Sequence, residues 1–197
     1  MTNQIPATER AEIVLDVIRS RRAIRHFTGD AVPDELIRHV IEAGRWASSA
    51  SNRRIHRFLV VRDPVRLRLA RALSPGMVTL PPLLIIICTD QEKAIREGIQ
   101  TSRDTTTWID VGTSVMNMML AAHVLGLGSC PVTSYSPAGL ARALDLPETI
   151  TPELALMLGY PAPTTATPRR RERLNLDDII DWERVGGRLD ADRVQDR

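Results

Sequence analysis

Two cysteines in 197 residues, Cys88 and Cys130, are too few and too far apart for a disulfide framework or a zinc cluster. That scarcity points to a reducing, cytoplasmic setting. Long hydrophobic runs are also missing: the longest, Leu80 to Cys88, is broken by Pro81 and Pro82 and falls far short of the ~20 residues a membrane span needs. The amino terminus lacks the basic start and apolar stretch of a secretory signal, and Glu9 argues against a transit peptide, so export is not expected. Charge of one sign is scarce as well. With 26 basic against 24 acidic residues the formal charge is +2, and no global field draws the chain to nucleic acid or anionic lipid. No glycine fingerprint of a dinucleotide-binding βαβ unit occurs.

What is present is ordinary for a soluble globular protein: 43% hydrophobic and 25% charged residues. A chain of this length buries roughly 70% of the surface its unfolded form exposes, enough for a core without disulfides or metals.

Helical periodicity from Glu9 to Ser20 places Ile13, Val14, Val17 and Ile18 on one face. Pro33 suits the first position of a second helix, whose stripe is Leu36, Ile37, Val40 and Ile41 and which runs to about Trp46. Ser48 to Asn52 reads as a loop. Phe58–Val61 reads as a strand, Asp63-Pro64 as the cap and start of a helix to about Leu73, and Leu83–Cys88 as a strand covered on both faces. Trp108–Leu125 is apolar nearly all round, the pattern of a central helix stopped by Gly126 and Gly128. Cys130–Val132 is a short strand, Ser136-Pro137 restarts a helix that ends before Pro147, and Leu154–Leu158 is the last strand. Residues 1–162 are expected to form the domain core. Residues 163–186, with a proline-threonine linker and the basic run Arg169 to Arg173, form an arm that cannot build a core alone and packs on another copy of the chain. Residues 187–197 are expected to be a flexible tail.

Two clusters bear on chemistry. Arg21-Arg22-Ala23-Ile24-Arg25-His26-Phe27 follows a helix; arginine forks suit a phosphate dianion, and the plain alternative is a solvated turn. Trp46-Ala47-Ser48-Ser49-Ala50-Ser51-Asn52-Arg53-Arg54 offers small hydroxyls, an amide and backbone donors to a heteroaromatic ring, and the plain alternative is a serine-rich loop. His26, His39, His56 and His123 lack metal-ligand spacing and read as structural or exposed; Cys130 reads as a small packed residue.

In order along the chain these clusters resemble the nitroreductase family of FMN-dependent oxidoreductases, with its Arg-Arg-Ser-x-Arg-x-Phe opening and Ala-Pro-Ser-x-x-Asn-x-Gln-Pro-Trp loop. Asp110-Val111-Gly112 through Ala121-Ala122, then Gly126-Leu127-Gly128-Ser129-Cys130, resemble its central helix and that helix's end. Leu158-Gly159-Tyr160-Pro161 and Leu176-Asp177-Asp178-Ile179-Ile180 resemble its closing signature. The resemblance implies an α+β fold with a mixed, mainly antiparallel sheet flanked by helices. It also implies an intertwined homodimer with exchanged carboxy-terminal arms and two FMN sites at the interface.

On that pattern Arg21 and Arg25 pair with the FMN phosphate, Arg22 contributes nearby through its backbone, and Arg171 and Arg173 reach the same phosphate from the arm. Ser49 and Asn52 approach the flavin from the partner subunit, and Thr133 and Ser134 lie near the reactive edge of the ring. Departures are Ala23 for the usual serine, Ser48 for proline, and Arg54-Ile55-His56 for Gln-Pro-Trp. The resemblance implies hydride transfer from NADH or NADPH to bound FMN and on to a nitroaromatic, quinone or similar acceptor, by a ping-pong scheme with no protein nucleophile or metal. Residues 89–107 are expected to help form the acceptor pocket. Alternatives within the fold are dehalogenation or flavin cleavage, or flavin binding without rapid turnover. Arg169 to Arg173 without interleaved aromatics make a poor footprint for nucleic acid.

Overall fold

The computed structural model describes residues 5–99, 105–163 and 174–187. The chain divides into two compact units, up to Ala162 and from Pro163 onward. The first begins with α1 (Ala7–Ser20), α2 (Asp34–Arg45) and a 3-10 turn (Ala50–Asn52). It continues through β1 (His56–Val61), α3 (Pro64–Ala72), β2 (Leu83–Asp90) and α4 (Gln91–Arg96). It closes with α5 (Thr105–Val124), β3 (Gly128–Val132), α6 (Pro137–Ala143) and β4 (Ile150–Gly159).

The four strands form one antiparallel sheet in the order β1-β2-β4-β3. A parallel contribution is confined to the isolated Ala23↔Ser129 bridge, which ties the arginine segment to the β3 edge. β2 is buried along its whole length, as a continuous apolar run in a two-sided sheet must be. Its odd residues Leu83, Ile85 and Ile87 join a core with α2 and α5, and its even residues Leu84, Ile86 and Cys88 join a core with α3 and α6. At roughly 1.5–3 kcal/mol for each fully buried aliphatic side chain, this strand anchors both layers.

α2 and α5 pack closely because α2 carries Gly44 at the contact: a Cβ there would meet Met118 Cγ at 2.7 Å. Ser114 Oγ and Asn117 Nδ2 of α5 donate to the carbonyls of Gly44 (3.1 Å) and Ala43 (3.2 Å). Asp63 caps α3 by accepting from the Val65 and Arg66 amides, as the sequence implies. Pro33 stands one residue earlier than expected, in an extended conformation before α2.

β4 begins at Ile150 rather than Leu154, with Pro152 inside it. The irregularity has a structural cause: Cys88 lies opposite Pro152 and Ile87 opposite Leu154, so Glu153 is an extra residue in a β-bulge. Within 89–107, Thr89 and Asp90 extend β2 and Gln91–Arg96 form α4, capped by the Asp90 carboxylate accepting from Lys93 N. No described helix is long and apolar enough to cross a membrane.

In the second unit a 3-10 turn, Leu176–Asp178, follows Asn175, and the Asp181 carboxylate accepts from the Gly186 amide at 2.9 Å. Leu174, Leu176 and Ile179 are exposed there. Most of the expected tail, 187–197, lies outside the described residues.

Candidate active site

The loop after α2 is built from small polar residues because it turns twice through left-handed space, at Ser51 (φ 52°) and Asn52 (φ 54°). Bulky β-branched side chains would be strained there. Ser49 Oγ donates to the Arg53 carbonyl at 2.7 Å. The loop is then pinned to α5: the Ala50 amide donates to both oxygens of the buried Asp110 carboxylate (3.0 and 3.2 Å), and Thr113 Oγ1 donates to the Ser48 carbonyl (3.0 Å).

Between this loop and the start of β1 lies a cavity of about 410 Å³ whose wall includes Ser48, Ser49, Asn52, Arg54, His56 and Asp110. His56 forms part of this wall with its imidazole nitrogens buried. Burial lowers the His56 pKa, while the Asp110 carboxylate and a hydrogen bond to the Cys88 backbone push it the other way. The hydroxyl, amide and guanidinium groups of the wall suit a ligand with a complementary polar edge.

The arginine segment occupies the opposite sheet edge. Ile24 N donates to the Ser129 carbonyl at 2.9 Å, continuing the pairing of Ala23 with β3. Arg22 closes the end of α1, its guanidinium donating to the carbonyls of Arg19 (2.6 Å) and Arg21 (2.8 Å). The guanidinium groups of Arg21 and Arg25 make no hydrogen bond or ion pair among the described residues. The Thr79 hydroxyl donates to the Arg25 carbonyl. Three residues earlier, Gly76 packs so tightly on Ser134 Oγ that no Cβ fits between them. The 74–80 loop thus brings the Arg25 and Ser134 segments to one end of the sheet.

Thr133 lines a second cavity of about 540 Å³, walled by Trp108, Val111, Pro152 and Leu154 and containing Tyr135 and Glu153. Tyr135 Oη donates to the Pro152 carbonyl at 2.9 Å. Burial raises the Glu153 carboxyl above the usual carboxylate range against the pull of the Thr89 hydroxyl. Burial pushes the Cys88 thiol up to about 12, helped by the Glu153 charge.

Within one chain, Ser48, Ser49 and Asn52 share one cavity, while Thr133 lines another. Arg171 and Arg173 lie outside the described residues, as do Arg103 and Asp104. Cys130 is buried, and burial raises its thiol while Arg25 draws it down. His56 departs from the bland reading of the histidines, because it forms a cavity wall. Asp110 and Glu153 were not marked as site residues; the one available signal was a carboxylate set among apolar neighbours in each segment.

The family model described as Nitroreductase family matches residues 18–81 and 70–160, more than half of the chain. A Methanothermobacter thermautotrophicus protein with the provisional designation NADH dehydrogenase/NAD(P)H nitroreductase is 33% identical over 161 residues, covering 78% of this chain and 80% of its own. A Bacillus subtilis FMN reductase [NAD(P)H] is 26% identical over 174 residues, covering 80% and 69%. A Desulfovibrio desulfuricans protein, provisionally designated a nitroreductase and solved in complex with FMN, superposes with a TM-score of 0.71 at 34% identity, covering 87% of this chain and 96% of that one.

Proposed function

The chain belongs to the nitroreductase family, and on that premise we propose that it is a homodimeric, cytoplasmic NAD(P)H-dependent FMN oxidoreductase that reduces a quinone, nitroaromatic or similar small acceptor by a ping-pong scheme. The observation that carries this reading is the division of the site. Within one chain Thr133 and the Ser48–Asn52 loop line different cavities, and two chains related by a dyad would bring one chain's loop to the other's Thr133, Ser134 and arginine segment. Bare apolar side chains support the pairing: Ile13, Val14 and Ile18 of α1, with Trp46 and Trp108, are exposed in the single chain.

The residues present fit FMN. The hydroxyl and amide groups of the Ser48–Asn52 cavity suit the polar edge of a flavin, and the guanidinium groups of Arg21 and Arg25, which make no hydrogen bond among the described residues, suit its phosphate. Arg21 and Arg25, with Arg171 and Arg173 from the arm, would hold the phosphate, and Ala23 leaves room where a hydroxyl would otherwise contact it. Ser48, Ser49 and Asn52 would hold the ring, with Thr133 and Ser134 at its reactive edge. Bound there, FMN supplies two-electron redox chemistry, taking hydride from NADH or NADPH and releasing it to the acceptor. The chain's own task is placement: Asp110 fixes the loop through the Ala50 amide, and Trp108, Val111 and Leu154 give the acceptor an apolar wall.

The absorption spectrum of the purified protein and the identity of the released chromophore test the cofactor, FMN being expected and FAD or a colourless protein refuting it. NAD(P)H should bleach the flavin and menadione restore it. Double-reciprocal plots at varied NAD(P)H and menadione should run parallel; intersecting lines would exclude the ping-pong scheme.

A further inference from the structure

Glu153 is the one carboxyl among the described residues that line the cavity beside Thr133. It arrives there through the bulge of β4, where it has no cross-strand partner, and a bulge of this kind re-aims a side chain that strict alternation would place elsewhere. The remaining wall is largely apolar, with Trp108, Val111 and Leu154 prominent. β2 presents Cys88 and Thr89 to Glu153, and the segment after β3 presents Tyr135. Among the described residues that line this cavity, α5 and α6 contribute no charged side chain. Tyr135 already donates its hydroxyl proton to the Pro152 carbonyl, and burial and the Glu153 charge both keep that phenol protonated. Burial raises the Glu153 pKa against the pull of the Thr89 hydroxyl, which shifts the group toward the form that carries a proton.

Building on the flavoenzyme reading above, we propose that Glu153 is the proton donor to a quinone seated in this cavity. Reduction of a quinone by hydride leaves one oxygen anionic. The Glu153 O–H bond breaks and its proton passes to that oxygen, so the quinone, having gained a hydride and a proton, leaves as the hydroquinone. NAD(P)H is the species oxidised overall, and the Glu153 carboxylate regains its proton from water. General acids placed in this way contribute about 10²–10⁴-fold to a rate.

The test compares wild-type holoenzyme with Glu153→Gln, which keeps shape and removes the acid, and with Glu153→Leu, which matches the apolar wall. The flavin is reduced anaerobically and its reoxidation followed with menadione, which needs protons, and with ferricyanide, which takes electrons alone. Both variants should reoxidise at least ~100-fold more slowly with menadione. Ferricyanide reoxidation and the FMN dissociation constant should be unchanged. Infrared difference spectra between low and high pH should lose a protonated-carboxyl band in both variants. Menadione reoxidation at the wild-type rate, equal slowing with both acceptors, or an unaltered infrared band would overturn the assignment while the flavoenzyme reading stood. A wild-type protein that binds no FMN, or whose flavin NAD(P)H does not bleach, would overturn both.

Discussion

His56 and Glu153 are two ionisable side chains whose pKa values burial moves in opposite directions. Because burial raises Glu153, the folded state holds that proton more firmly than the unfolded chain. The associated stability is present below the ordinary carboxylate range and is lost as pH rises through the raised folded value. Urea midpoints measured against pH should therefore show a decline that Glu153→Gln flattens. His56 is lowered, so the unfolded chain takes up its proton first and stability falls as pH drops below the usual histidine range through the lowered folded value. His56→Phe should remove that acid-side loss and stabilise the apoprotein by about 1 kcal/mol, while weakening FMN binding in a fluorescence titration. Neither residue could be weighed from its neighbours in sequence: His56 reads as one of four histidines without ligand spacing, and nothing local singles out Glu153.

At the scale of elements, the contact of α2 with α5 positions the Ser48–Asn52 loop, since Gly44, Ser114 and Asp110 lie along one packed seam. Gly44→Val should lower stability by about 1–3 kcal/mol in urea unfolding, because the added side chain must displace Met118. Asp110→Ala strands the Ala50 amide in a part-buried site, and a loss of ~1–3 kcal/mol is expected, read as a lower thermal midpoint together with a weaker FMN titration. Asp63-Pro64 and Ser136-Pro137 were legible as helix starts because a cap acts through the next two or three amides alone. The start of β4 was not, because Pro152 in a strand is tolerated only at an edge or a bulge, and the bulge is a property of pairing with β2.

For the whole molecule, the stripe of α1 and the side chains of Trp46 and Trp108 are exposed in the single chain, and the proposed dimer would cover them. Light scattering after gel filtration should give twice the chain mass for the holoprotein. Val14→Lys with Ile18→Lys should weaken that dimer and release flavin at the same dilution if, as proposed, each site draws on both chains. Truncation after Ala162 removes Arg171 and Arg173, and a weaker FMN titration is expected, with riboflavin affinity less affected because riboflavin has no phosphate.

The amino-acid sequence alone determined the helices with strong period and caps, the doubly covered strand β2, and the arginine and serine-asparagine clusters that resemble a flavin site. These depend on neighbours within a few residues, where propensity, capping and periodicity act. Tertiary structure alone decided that Ser48–Asn52 and Thr133 line different cavities, that His56 is buried in the wall of the first, and that Glu153 lines the second. Those outcomes depend on strand order, register and a one-residue bulge, and they couple residues as far apart as Ala50 and Asp110 or Cys88 and Pro152, beyond the reach of any local pattern.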